Sequence, residues 1–247
     1  MTRPNGDIIS LERVWTTYEG ANVPVIRDVS LKIRAGEFVV IGGPNGAGKT
    51  TLLETIAGLL PVVHGSVRVC GHDAIRDGCS VRKRVGYVIQ NFDFHPFTPF
   101  TVEEVVLMGR YGKIGFLKRQ TSEDVGKALK ALEQLGLTMM RTNQIGKLSG
   151  GQQQKVLIAQ NLAKEPQALL LDEPFSNLDI ITREEVCRLL CNIADSGIPV
   201  IIVSHAFDAL PDREIRVVVM QDGEIILNQM TRSGDIGQIV RSATVAA

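Results

Sequence analysis

Three observations predict an α/β fold. Its sheet is mostly parallel, with an antiparallel β subdomain on the N-terminal side and an α-helical subdomain inserted mid-chain. Two short runs, "ALLLDEP" and "IPVIIVSH", carry unbroken apolar stretches, as parallel strands covered on both faces do. Two earlier segments, "DIISLERVWTTY" and "VIRDVSLKI", alternate apolar and polar residues like half-covered strands. Between the outer thirds, about residues 91–145, the apolar spacing becomes helical. A chain of 247 residues with 44% apolar and 22% charged residues suits one large domain with a smaller subdomain. It reads as a single domain, 1–247, with a core from 1–90 and 146–230, the helical block 91–145, and a C-terminal tail 231–247.

The elements follow in order. After the two alternating strands, "AGEFVVIGG" is a short buried run bounded by glycine. "KTTLLETIAGLL" has helical spacing at Leu52, Leu53, Ile56 and Leu59/Leu60, and "GSVRVCG" and "RVGYVIQ" are strand-like. "NFDFHPFTPF" is a Pro- and Phe-rich loop. "TVEE", Thr101 to Glu104, is a capping box that opens a helix. "RYGKIGFLKRQT" is basic and broken by glycine. A second helix runs from Ser122, with Val125, Leu129, Leu132 and Leu135 inward and Gly136 at its C-terminal end. A helix capped by "TREE", Thr182 to Glu185, separates the two buried runs. "EIRVVVMQDGEIIL" is a hairpin turning at Asp222-Gly223. The last dozen residues, small and polar, are expected to be loosely held.

Composition excludes several classes. A formal net charge of zero argues against a general nucleic-acid binder. No apolar run reaches the roughly 18 residues of a membrane span, and "MTRPNGDIIS" has no secretory apolar core. The expected location is the cytoplasm, with any membrane work done by docking at its inner face. The four cysteines form no C-x-x-C pair, and Cys187 and Cys191 read as reduced thiols on a partly buried helix face. His64, His72 and His95 read as surface or loop residues.

Gly43-Pro44-Asn45-Gly46-Ala47-Gly48-Lys49-Thr50 fits G-x-x-x-x-G-K-[ST] between a strand and a helix. Glycines let backbone N–H groups wrap phosphates, and the helix N-terminus adds its positive dipole end. Lys49 would neutralise the β- and γ-phosphates, while the Thr50 hydroxyl would ligate Mg²⁺; Thr51 continues the loop. Asp172, after three leucines, supplies a carboxylate for Mg²⁺. Glu173 follows on the γ-phosphate side, where a carboxylate can orient and deprotonate water. "LSGGQQQK" is a second anion-shaped loop at a helix start, without a lysine.

On these motifs the chain resembles the ATP-binding-cassette (ABC) ATPases over about residues 7–230, which implies a P-loop NTPase core. "LSGGQQQK" is that family's signature, and "SNLD", Ser176 to Asp179, resembles its D-loop. Gln90 resembles the Q-loop glutamine, His205 the switch histidine and Tyr18 the aromatic residue that stacks on adenine. The resemblance implies ATP and Mg²⁺ as ligands. It implies that Gln90 contacts Mg²⁺ or the attacking water, and that His205 holds the γ-phosphate and supports Glu173. It further implies a homodimer in which Leu148, Ser149, Gly150, Gly151 and Gln152 close over the partner's phosphate loop and Asp179 crosses the interface. Lys155, Ile89 and Ala206 depart from the family's usual residues, at positions away from the reacting groups.

The segment Phe100 to Arg119 is similar to that of zinc, manganese and iron importers, and "TVEEVVLMGR" is shared with siderophore and vitamin B12 importers. The implied partners are a membrane permease and, indirectly, a substrate-binding protein. The basic residues Arg110, Lys113, Lys118 and Arg119 form either a face for a permease or lipid headgroups, or a solvated charged face. The alternatives are a siderophore or vitamin B12-type importer ATPase, or a non-transport ATPase of iron–sulphur cluster assembly.

Overall fold

The computed structural model describes residues 6–18, 20, 23–90, 94–115, 117–176, 178–207, 210 and 212–246. The start of the N-terminal segment, Asn91–Asp93 of the Phe-rich loop, and Asn177 of "SNLD" lie outside the described residues. An antiparallel sheet comes first in the chain, from β1 (Asp7–Thr16), β2 (Ile26–Arg34), β4 (Val62–Val69) and the short β5 (His72–Asp73), in the order β2-β1-β4-β5. The second sheet has the order β10-β9-β3-β8-β7-β6. Its strands are β3 (Phe38–Gly42), β6 (Val85–Val88), β7 (Ala168–Asp172), β8 (Val200–Val203), β9 (Glu214–Gln221) and β10 (Glu224–Arg232). All its neighbours are parallel except the β9–β10 hairpin. Asp222 (φ 50°) and Gly223 (φ 85°) turn that hairpin, as two positive-φ positions in a two-residue loop require.

The parallel strands are buried on both faces, and period-two alternation sends their side chains into two cores. Val39, Ile41, Leu170, Ile201 and Val203 face the antiparallel sheet and α1 (Lys49–Ile56). Val40, Leu169, Leu171, Val200 and Ile202 face the helical side. There they meet side chains of α3 (Val102–Met108), α5 (Ser122–Gln134), α6 (Gly150–Ala163) and α7 (Ile180–Asp195). The sheets join where Arg27 N–H donates to Gly223 O (2.9 Å). Among the described residues no helix is long and apolar enough to cross a membrane.

Several sequence expectations are corrected. The "TREE" helix starts earlier, because the Asp179 carboxylate, not Thr182, caps α7 by accepting from Thr182 N–H at 2.9 Å. The last dozen residues are not loose: α8 (Ile236–Ala246) packs onto the core through Ile236, Val240 and Ala243. Arg110 belongs to no exposed basic face. It is buried, its guanidinium donating to Asp124 Oδ1 (3.0 Å), Ala163 O (3.1 Å) and Glu165 Oε2 (3.3 Å). Thus Arg110 ties α5 to the C-terminal end of α6. Cys187 and Cys191 are both buried on α7. Besides α8, the described residues hold the short helices α2 (Gly78–Arg84) and α4 (Tyr111–Ile114), which the apolar spacing does not mark.

Candidate nucleotide site

The carboxyl ends of the parallel strands converge on one edge, where open α/β sheets bind ligands. Ile41 and Asp172 are each in register with Val203, and Val88 with Leu171. The chain therefore leaves β3 into the phosphate loop, β7 into Glu173, β8 into His205 and β6 towards Gln90, all on that side. Gln90 is exposed there, two residues past the end of β6.

Between β3 and α1 the loop turns on Gly43, Gly46 and Gly48, with φ values of 136°, 81° and 93°. At Gly43 only glycine fits, since a Cβ would sit 2.1 Å from Met220 O. The loop closes with Ala47 N–H donating to Pro44 O (3.3 Å), and Asn45 stays exposed. Lys49 is buried, and its ammonium donates to Gly43 O (2.9 Å) and Pro44 O (2.7 Å). Burial pushes its pKa down, while Glu173 and Asp172 pull it up. Lys49→Ala should weaken ATP binding about a hundredfold, the loss of a strong charge-assisted bond. Equilibrium titration checks this, and unchanged affinity would disqualify the loop.

Thr50 Oγ1 donates to Asp172 Oδ2 at 2.6 Å. Asp172 Oδ1 is buried with no hydrogen-bond partner in the structure. Burial raises the Asp172 pKa, against the Thr50 bond and the Lys49 charge. A hydroxyl beside an orphaned buried carboxylate oxygen is a donor set that fits a hard divalent cation such as Mg²⁺. Because the folded pKa lies above the unfolded one, Asp172 contributes most to stability when protonated, at acid pH. That contribution is lost as pH rises through the folded value. Asp172→Asn should therefore raise the melting temperature of the Mg²⁺-free chain at neutral pH. A gain of about 1 kcal/mol would move it about 2–4 °C in a chain this size. The same change should erase the Mg²⁺-dependent part of stabilisation by ATP. A lower melting temperature without Mg²⁺ would refute the cost assigned to this charge.

Glu173 lies just past β7 at φ 48°, a left-handed conformation unusual for a non-glycine residue. Bonds hold it there: its N–H donates to Val203 O (2.9 Å), and its carbonyl accepts from Ser176 N–H (3.1 Å) and Oγ (2.9 Å). Its Oε1 lies 3.4 Å from Nε2 of His205. The structure thus brings together Lys49, Thr50, Asp172, Glu173 and His205. Tyr18 joins through its hydroxyl, which pairs with Thr51 Oγ1 (3.1 Å) and donates to Glu54 Oε2 (3.0 Å). Burial is the main cause that raises the Tyr18 pKa. Sequence reasoning did not single out Glu54; its only signal is its position three residues after Thr51 on the same helix face.

The second glycine loop stands apart. Ser149 caps α6, its Oγ accepting from Gln152 N–H (3.4 Å) while Gln152 Oε1 accepts from Ser149 N–H (3.0 Å). Among the described residues, Leu148–Gln152 makes no hydrogen bond or ion pair with the phosphate loop. Asp179 is spent locally on its cap, whose bonds hold its carboxyl below the usual range. Ile180 and Ile181 beside it are 68% and 71% exposed.

The family model described as ABC transporter matches residues 26–176. The chain is 38% identical over 204 residues to the manganese transport system ATP-binding protein MntB of Bacillus subtilis (strain 168), covering 83% of this chain and 79% of that protein. It is 38% identical over 197 residues to the zinc transport system ATP-binding protein TroB of Treponema pallidum (strain Nichols), covering 80% and 73%. Among solved structures, the dimeric post-hydrolysis cassette MJ0796 bound to ADP and Pi is similar with a TM-score of 0.74 and 29% identity, over 90% of this chain and 97% of that one. With a phosphate loop, an acid pair and a signature loop in one described fold, the chain belongs to the ABC transporter family as one of its ATP-hydrolysing cassettes.

Proposed function

We propose that this chain is the ATPase subunit of a membrane importer for a metal ion (zinc, manganese or iron) or a metal chelate. It works as a homodimer of cassettes docked on permease subunits at the cytoplasmic face of the membrane. The observation that carries the catalytic half is the clustering of Thr50–Asp172 and Glu173–His205 beside the phosphate loop. Gly43–Thr51, Lys49 among them, cradle the phosphates and Tyr18 stacks on adenine; Thr50, Asp172 and Gln90 would hold Mg²⁺, which would neutralise phosphate charge. Glu173 takes a proton from the attacking water, whose oxygen bonds to the γ-phosphorus as the bond to the β-phosphate oxygen breaks. His205 holds the γ-phosphate and keeps Glu173 aimed.

Among the described residues the signature loop makes no hydrogen bond or ion pair with its own chain's phosphate loop, which supports its use in trans, over the nucleotide of a second cassette. Exposed Ile180 and Ile181 beside Asp179 give such a dimer apolar surface to cover. Next to Gln90, a groove of about 500 Å³ runs between the core and the block 91–145, lined by Ile89, Phe100, Val105, Met108 and Leu157 among others. A permease segment seated there would feel movement at Gln90. The manganese and zinc systems of the two relatives favour a metal cargo.

Reconstitution with a candidate permease in vesicles tests the reading. ATP turnover in vesicles should rise when a metal-loaded binding protein is added outside. Co-purification with a soluble assembly scaffold and never with a membrane protein would overturn it. Stimulation by a siderophore or corrinoid alone would move the cargo to the chelate class.

A further inference from the structure

His205 is half exposed, with 44% of its side chain accessible, so its own packing cannot fix its position. The chain on either side must do so. Before it, Ser204 is buried, and its N–H donates to Ile41 O (3.4 Å), the last bond tying this segment to β3. The Ser204 hydroxyl then binds both ends of Ala206, accepting from its N–H (3.0 Å) and donating to its carbonyl (3.3 Å). After it comes Phe207, whose ring is wedged between the end of β3 and α8. A Cβ on Gly42 would lie 3.6 Å from Phe207 Cζ, and one on Gly237 would lie 3.8 Å from its Cδ2.

The floor of that wedge is α8 itself. A Cβ on Gly42 would meet Val240 Cγ2 at 2.8 Å and Cγ1 at 3.2 Å, so the helix lies directly on the glycine that precedes the phosphate loop. Ile236, Val240 and Ala243 anchor this face of α8, and Ile236 is completely buried. The C-terminal helix therefore touches, through one valine and one phenylalanine, the segments that present both the phosphate loop and His205.

We propose that α8 braces the histidine switch, with Phe207 and Val240 as positioning residues that keep His205 Nε2 within reach of Glu173. The inference rests on the proposed role of His205. A displacement of about 1 Å at a catalytic group can lower a rate on the order of a hundredfold, so loosening this wedge should reach the chemistry. Nucleotide binding should be spared, since neither side chain belongs to the phosphate cradle.

The test uses the purified full chain and Mg-ATP turnover. Phe207→Ala should lower kcat about tenfold with KM for ATP held within about twofold, and Phe207→Leu, which refills most of the wedge, should restore most of the loss. Val240→Ala, a milder change on the helix side, should lower kcat in the same direction. Combined with Glu173→Gln, Phe207→Ala should still yield the ATP-trapped dimer, which a misfolded chain could not. An unchanged kcat, a parallel rise in KM, no rescue by leucine or loss of the trapped dimer would each overturn the brace. His205→Ala separates the two readings. If it retains turnover, the role of His205 falls and the brace with it. If it abolishes turnover while Phe207→Ala does not, only the brace falls.

Discussion

Glu173→Gln should bind ATP as tightly as the native chain and lose turnover by about a thousandfold, the usual weight of a positioned general base. The geometry makes this exchange informative. Backbone bonds to Val203 and Ser176 hold residue 173 in its left-handed conformation whatever its side chain. Glutamine has the same length and can still meet His205 Nε2, which lies 3.4 Å from the carboxylate now. What it cannot do is accept the proton of the attacking water. The ATP-bound state should therefore accumulate as a dimer, visible by light scattering with ATP and absent with ADP. Turnover within about tenfold of native would remove Glu173 from the role of base.

Ser149→Arg should abolish hydrolysis while a single chain still binds ATP. Ser149 is exposed at the start of α6, and its bonds run to Gln152 within its own loop. Gly151 packs against Thr182 of its own chain, and arginine at 149 fills the open space beside Gly150, where a second cassette would approach. It also removes the cap, which costs about 1 kcal/mol of helix stability. Ser149→Asn controls for that term, because asparagine caps as well as serine and is far smaller than arginine. The readouts are ATP affinity by titration and dimer formation in the Glu173→Gln background. Loss of binding by the isolated chain would contradict action in trans.

Local rules made much of this molecule legible. The phosphate loop announces itself through glycines, a lysine and correct flanks. The capping box at Thr101–Glu104 and the Asp222-Gly223 turn each satisfy backbone groups within a few residues. What failed to read was non-local or ambiguous. Arg110 lies in a basic run, and its burial depends on Asp124 and Glu165, which come from other elements. At the start of α7, Asp179 and Thr182 both fit a cap, and only the backbone path decides between them. The C-terminal helix does carry helical spacing at Ile236, Ile239, Val240 and Ala243, but Gly237 and the small polar residues around them obscure it. The seating of Phe207 and Val240 around Gly42 has no signal in sequence at all, because it depends on α8 folding back over the end of β3.

Three helices in this chain solve one problem in two ways. At their N-termini α3 and α5 close the box with carboxylates, Glu104 and Asp124, whereas α6 closes it with the amide of Gln152. For holding a helix end the acid and the amide are equivalent. They differ in the charge left at the tip. A carboxylate at 152 would place a negative charge within one turn of the site proposed to receive a partner's γ-phosphate, and would repel it. The amide keeps that tip electropositive, with the helix dipole unopposed. Glutamine at this position closes the box as glutamate or aspartate would, and it adds no negative charge to the tip of α6.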